Sequence, residues 1–526
     1  MKRSTVLWIT ALVLGWSFDF LFWEHIPGIN FAIFVVLCLG GGFLVLGMEG
    51  LKPAWKAFLL VVPILFFAAV TFNRQEPLTV FLAVVFVLLM MGTLSVTVLG
   101  GRWLLYSLSD YVARTFQLIG SMIARPIIFL VEKQAAPAEV DPAGRKAASR
   151  LAWKRLGAVL GGLLLALPVV AIFASLLASA DLIFADRLGD FIDLFRLERL
   201  PEYILRGFLI AVIAYLLAGS ILHAVQKSRD EKLLGLDKPL VPPFLGFTQA
   251  AIVLGAVVAL FAVFVTIQFQ YFFGGQANIN LEGYTYAEYA RRGFGELVAV
   301  AFFSLVLFLG LSGIVRREGR AQRGAFSGLG IAMVTLIGVM LVSAFQRLLL
   351  YEAAYGFSRL RAYTHVFMIW LGIVLAVVVV LDLLHRERQV ALSVLLASIG
   401  FAASLALLNV DGFIVRQNVA RTGELDVAYL VSLSDDAVPA LGDAYRDPDL
   451  SRGRREAVGA ALVCMRDGVL EDDEQDWQSF HLSNWRAEQA LQSLDLDDYE
   501  LVMDREAYFV ITPSGEEYDC WDTYYD

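Results

Sequence analysis

The chain has 526 residues, 58% of them hydrophobic and only 18% charged, with mean hydropathy +0.67 and a formal net charge of −9. A soluble globular domain carries about 25% charged residues, so this composition excludes an ordinary soluble enzyme and places the chain in the membrane class. The charge is also uneven: residues 410–526 hold 27 Asp and Glu against 9 Arg, while the preceding 409 residues hold 24 acids and 33 bases. A tail of that sign excludes nucleic acid as a partner.

A spanning helix needs about 20 mostly apolar residues. Eleven runs meet that need: Val6–Trp23, Ile29–Met48, Ala57–Phe72, Leu78–Leu99, Leu156–Ala178, Tyr203–Val225, Phe247–Phe273, Phe294–Val315, Ser327–Tyr351, Arg361–Leu384 and Val390–Val410. Met1-Lys-Arg leads into the first run without a small-residue cleavage site, which predicts a spanning helix there rather than a signal peptide. Two amphipathic stretches, Ser109–Val131 and Asp181–Leu200, are expected to lie in the interface. Gly40-Gly41-Gly42 and the pair Gly157 and Gly161 suit close helix approach.

The fold class predicted is therefore an all-α polytopic membrane bundle of about eleven helices with a small α+β C-terminal domain. Residues 1–131 form a first membrane subdomain of about four spanning helices plus an interfacial helix, and 132–155 a basic cytoplasmic linker. Residues 156–410 form a second subdomain of about seven spans, and 411–526 an acidic extracytoplasmic domain. Lys and Arg stay on the cytoplasmic side, and the clusters Arg145-Lys146…Arg155 and Arg316-Arg317…Arg323 predict an inside N-terminus. An odd number of crossings then puts the tail outside. In that space Cys464 and Cys520 are available to pair, while Cys38 sits in an apolar run.

Within the tail, Asp426–Leu433, Asp435–Tyr445, Arg454–Arg466 and Asn484–Leu494 read as helices, with Ser434 and Ser483 as caps. Tyr499–Met503 and Ala507–Thr512 read as strands, and the acidic end Glu516–Asp526 as loose chain.

Several blocks resemble, in order, a known group of sequences: Asp19-Phe-Leu-Phe-Trp, Tyr284–Leu297, Arg347–Arg361, Asn409–Asn418, Leu425–Pro439 and Asp476-Trp-Gln-Ser-Phe. The chain is similar to a group of bacterial multi-pass membrane proteins classified only as a domain of unknown function. The resemblance implies a bacterial cytoplasmic-membrane protein with an extracytoplasmic C-terminal part. It implies no catalytic residue, substrate or cofactor.

Polar residues of the spanning runs collect at the outer level. In Tyr284–Leu297, Thr285 and Glu288 form a capping box, and Glu288, Arg292 and Glu296 form a charge ladder at i, i+4 spacing. Asp19, Arg206, Gln268, Gln270, Arg347, Glu352 and His365 fall at the same depth. A charge in hydrocarbon costs about 2.5–3.5 kcal/mol on insertion scales, so Arg347 is expected to pair with an acid of another helix, Glu296 or Asp19 first. Glu24, His25, Asn409 and Asp411 read as ordinary helix-end polarity, and Arg359 and Arg361 as interface anchors whose alternative partners are the acidic tail or lipid phosphates. The candidate outer-leaflet site is thus Asp19, Glu288, Arg292, Glu296, Arg347, Glu352, Arg359 and Arg361.

Motifs of chemistry are absent: there is no phosphate loop, no Cys or His cluster, no His-Glu-x-x-His and no Gly-x-Ser-x-Gly. No catalytic residue, cofactor or metal is assigned, and the acidic run Glu471–Asp476 reads as a solvated loop. The expected partners are membrane lipids and an envelope or cytoplasmic protein. Three roles remain open: a sensor or assembly protein, favoured by the long loop Arg102–Arg155 and the sparse inner polar groups; a transporter or channel-like protein; and an outer-face enzyme acting on a lipid-linked substrate.

Overall fold

The computed structural model describes residues 4–135, 200–229, 243–273, 294–470, 476–504 and 507–520, with isolated residues between 170 and 233. Described helices long and apolar enough to cross a membrane number eleven. In chain order they are α1 (Ser4–Phe22), α2 (Ile29–Met48), α3 (Trp55–Asn73), α4 (Pro77–Thr97), α5 (Leu108–Ala135), α6 (Leu200–Lys227), α7 (Phe247–Phe273), α8 (Phe294–Ile314), α9 (Arg320–Tyr355), α10 (Arg359–Leu383) and α11 (Val390–Leu408). The small domain adds α12 (Val410–Ala420), α13 (Val427–Val431), α14 (Val438–Arg446), α15 (Arg452–Leu470), α16 (Leu482–Gln492) and strands β1 (Glu500–Asp504), β2 (Ala507–Ile511) and β3 (Glu517–Asp519). The protein is thus a polytopic helical bundle with a small α+β appendage, as its composition predicts.

The eleven spans are not the eleven read from hydropathy. Leu156–Ala178 lies outside the described residues, and α5, expected in the interface, has the length and apolarity of a span. Trp103–Leu105 and Ser107–Ser109 lie beside Ser312, Asp382 and Arg388, at the ends of α8 and α10 and the approach to α11. At the end of α6, Ser228 accepts a hydrogen bond from the amide of Leu99, at the end of α4. The chain therefore enters α5 and leaves α6 on one face of the bundle.

Contacts divide the chain into two compact units, Met1–Phe20 with Gly120–Leu222, and Leu21–Ile119 with His223–Asp526. In the first, small residues let helices approach: Ala11 packs with Ala214 and Ala218, and a Cβ on Gly15 would meet the Ile210 carbonyl oxygen at 2.6 Å. This is the small-residue contact of helices in lipid. Gly40 and Gly42, expected to serve it, have nothing within 4 Å of a Cβ position. Gly157 and Gly161 lie outside the described residues.

In the second unit one core joins α7 to α10 around Phe326, Met333, Ile337 and Leu348. Another joins α2, α3, α4 and α11 around Ile64, Phe67 and Val87. A third core continues from the ends of α10 and α11 into the small domain, through Leu405, Val410, Ile414, Leu441, Val458 and Leu462. Outward apolar side chains such as Val62, Phe81 and Leu407 remain exposed, as a lipid-facing surface requires. Helix α9 has 36 residues, about 54 Å at 1.5 Å per residue, against a hydrocarbon core of about 30 Å, so it projects beyond the apolar layer.

The small domain follows the expected helices and strands, with two corrections. The acidic end is not loose throughout: Glu517–Asp519 pairs antiparallel with β2 to complete the sheet β1-β2-β3, while residues 521–526 lie outside the described residues. Ser434 and Ser483 do not cap helices with their side chains, and their hydroxyls go to buried carboxylates instead. Cys464 on α15 and Cys520 after β3 form a disulfide.

Candidate functional site

The turns on one face of the second unit carry the small domain, and each is built by a local device. Between α1 and α2, the fully buried Asn30 donates to the carbonyls of Leu21 (2.8 Å) and Ile26 (3.0 Å) and accepts from the amides of Gly28 and Phe31. The turn so formed pairs with the domain through Ile29 N to Phe480 O at 3.0 Å and Ile26 N to Ser479 Oγ at 3.1 Å. Between α3 and α4, Glu76 caps α4 by accepting from the amides of Leu78 and Thr79, both at 2.9 Å, with Pro77 at the first helical position. Between α9 and α10, Gly356 takes φ +80°, open to glycine at little steric cost. Between α11 and α12, Asn409 takes the left-handed conformation that asparagine tolerates and accepts from Gly412 N.

Three buried carboxylates knit these turns to the domain. Asp411, fully buried, receives Arg359 in a bidentate pair (Nε 2.8 Å, Nη2 2.7 Å) and both the amide and hydroxyl of Ser434 (2.8 and 2.6 Å). Asp436, two residues further on, receives Arg74 Nη1 (3.3 Å), Ser483 Oγ (2.8 Å) and the amides of Gln75 (2.8 Å) and Glu76 (3.2 Å). Glu76 in turn accepts from the Tyr363 hydroxyl on α10. The bonds close a circuit from the α3–α4 turn through α10 and α12 to residues 434–436 and back. Every one of these carboxylate oxygens is occupied by donors, which makes burial of the charge tolerable. Tyr429 joins at the edge by accepting the amide of Arg359 at 2.9 Å, and burial pushes its phenol pKa up.

Of the candidate residues, Asp19 lies in the first unit, paired with Arg206 of α6 (Nη2 to Oδ2 2.7 Å). Glu296 sits exposed in the first turn of α8. Glu288 and Arg292 lie outside the described residues. Glu352 is buried with His365 at 3.3 Å, and the Arg361 guanidinium lies over the Tyr351 ring, 4.2 Å from its centre. Arg359 holds the first acid of the tail rather than serving as an interface anchor, and Asp411 is no solvated helix end. Asp436, Glu76, Arg74 and Tyr363 were missed by sequence reasoning. Glu76-Pro77 carries a visible cap signature; Asp436 carries none that separates it from Asp435.

Among the described residues, cavities adjoin the bundle on both faces. One, of about 230 Å³, lies under the α9–α10 turn against the small domain. Another, of about 450 Å³, opens on the opposite face beside Asp382. Asp382 is buried, ion-paired to Arg317 (3.1 Å) and hydrogen-bonded by Ser327 (2.5 Å). Among the described residues no group of three or more His, Cys, Asp or Glu could hold a metal ion. The three clasping carboxylates are acceptors already filled, an arrangement suited to holding parts together rather than moving protons.

These features define a class: a polytopic helical membrane protein whose helix ends are clasped to a small α+β domain. The chain belongs to the family described as Domain of unknown function (DUF4153), whose model matches residues 59–444. The matched range holds Arg74, Glu76, Arg359, Tyr363, Asp411 and Asp436 but ends before Ser483 and the disulfide. No curated protein and no solved structure matches the chain.

Proposed function

We propose that this is a bacterial cytoplasmic-membrane protein, N-terminus inside and residues 411–526 outside, acting as an envelope sensor or assembly protein. Its C-terminal domain presents a fixed surface to a protein partner. The observation that carries the reading is the clasp itself. A domain tethered only by chain would swing, whereas Asp411 and Asp436 fasten this one to the helix ends at two points.

The orientation has two supports. Lys52, Arg102, Arg316, Arg317 and Arg320 lie toward the face opposite the small domain, which the positive-inside tendency assigns to the cytoplasm. The Cys464–Cys520 disulfide belongs to an oxidising space. The transporter reading rests on the cavity of about 450 Å³ beside the buried Asp382.

Photo-crosslinking in intact cells, with probes on exposed Trp477 or Trp485, tests the proposal. One protein captured by the full chain but lost in Asp436→Ala, at matched membrane abundance, is the expected result. Capture unchanged when the clasp is broken would remove the need for a fixed surface. Loss of a solute flux in Asp382→Asn, with no partner captured, would favour transport.

A further inference from the structure

The cavity under the α9–α10 turn is walled by charges of both signs. Arg361, from the first turn of α10, and Arg421, just past α12, line it together with Glu424 and Asp426 from the loop leading into α13. No ion pair within 4.0 Å joins any of these four to another described residue. Two guanidiniums and two carboxylates thus share one small cavity without neutralising one another by direct contact.

The cations keep donors to spare. A guanidinium offers five N–H groups. Arg361 gives one to the Gly356 carbonyl, and Arg421 reaches the Glu352 carbonyl only at 3.5 Å. Ser358, at the N-cap of α10, also lines the cavity and makes no side-chain cap hydrogen bond, so the positive end of that helix opens beside the guanidiniums.

The walls are preformed. The Asn418 carboxamide accepts from the amide of Phe357 (2.7 Å) and donates to its carbonyl (3.0 Å), which fixes the turn at its left-handed Gly356. The Tyr429 hydroxyl holds the amide of Arg359. The same turn leaves Tyr355 56% and Leu360 70% exposed, at the ends of two membrane spans. Polar walls therefore adjoin an apolar, lipid-facing rim.

We propose that this cavity binds the zwitterionic headgroup of a membrane phospholipid, a phosphate diester with a primary ammonium. The phosphate engages Arg361 and Arg421, whose fork geometry suits its oxygens. The ammonium faces Glu424 and Asp426, and the acyl chains pass Leu360 and Tyr355. A purely anionic headgroup would set its charge against the two carboxylates, and a quaternary ammonium would have no N–H to donate to them. This site is independent of the partner-binding role and of which side the domain occupies.

The test uses the full chain purified in detergent and native mass spectrometry of bound lipid after exposure to equal phosphatidylethanolamine, phosphatidylglycerol and phosphatidylcholine. Selective retention of phosphatidylethanolamine is expected, with about tenfold loss in Arg361→Gln and Arg421→Gln, the scale of one charge-assisted hydrogen bond. Glu424→Gln changes an exposed side chain and leaves the fold intact; it is expected to shift preference toward phosphatidylglycerol. Asp426→Asn keeps the cap on α13 and is expected to do the same. Equal retention of the three lipids by the unmodified chain would overturn the proposal, as would an unchanged preference in Glu424→Gln. Displacement of the lipid by soluble O-phosphoethanolamine at equal concentration would make this a solute site and end the lipid assignment.

Discussion

The two faces of the larger unit both bury an aspartate against an arginine, yet they use it differently. On the face bearing the small domain, Asp411 and Asp436 each collect donors from separated stretches of chain, and Glu76 links them through Tyr363. On the opposite face, Asp382 gathers, among the described residues, Arg317 and Ser327, both near the start of α9, and a cavity of about 450 Å³ stands beside it. The first arrangement fastens a domain; the second steadies a helix end and leaves room around it. A buried carboxylate in a membrane protein is therefore diagnosed less by its charge than by how many chain segments must move to free it.

The largest effect is expected where the donors come from farthest apart. Removing one partner of a buried ion pair costs about 3–5 kcal/mol because the other charge is left stranded. Asp411→Ala strands Arg359 and orphans Ser434, and Asp436→Ala strands Arg74 and two amides. Either should expose the junction near Asn409 to protease and lower membrane abundance severalfold, as read by limited proteolysis and immunoblot. If both variants resist protease as the parent does, the docked face is no clasp.

Next in size is the domain's own cohesion, distinct from its docking. The Cys464–Cys520 bond spans 56 residues, for which loop entropy gives about 4 kcal/mol. Cys464→Ser should lower the apparent Tm of the domain while Asp411 and Asp436 still hold its first helices. Protection falling first in β2 and β3 by hydrogen exchange is the expected sign, and simultaneous loss across α12 to α14 would contradict the separation. A smaller effect belongs to the opposite face. Asp382→Asn keeps the shape but weakens one charge-assisted contact, about 2 kcal/mol, and should loosen the start of α9 without altering protease resistance at Asn409.

Sequence carried the bundle well and the clasp poorly, for a physical reason. Long apolar runs declare themselves because lipid demands about 20 such residues in a row, and α1 to α4 and α6 to α11 follow them. The amphipathic α5 obeys two templates at once, so hydropathy alone assigned it to the interface. Asp411 and Arg359 lie 52 residues apart, Arg74 and Asp436 362. Nothing local marks them as partners, and each alone looks like a polar helix end. Asp19 pairs with Arg206, 187 residues away, and no local signal joins the two. Ser434 and Ser483 looked like caps, since a hydroxyl before a helix usually serves the backbone; here buried carboxylates compete for it.

The smallest expected effect is an acid sensitivity at the edge of the small domain. Glu456 on α15 accepts from the Ser514 hydroxyl and from Arg452 Nε at 2.8 Å, and these bonds, Ser514 first, hold its carboxyl pKa below the ordinary value. A folded-state pKa below the unfolded one adds stability that is complete above the unfolded value, about 4.3. That stability fades as pH falls through the folded value, because the unfolded chain takes up the proton first. Acidification should therefore loosen the β2–β3 turn around Ser514 while Glu456→Gln leaves it indifferent to pH. Exchange rates of the Gly515 and Glu516 amides, followed downward from about pH 6, provide the measurement. A loss of protection that is the same in Glu456→Gln would move the acid response elsewhere. Ser514→Ala should narrow the pH window, because it removes the largest contribution to the shift and leaves only the exposed Arg452 to hold the charge.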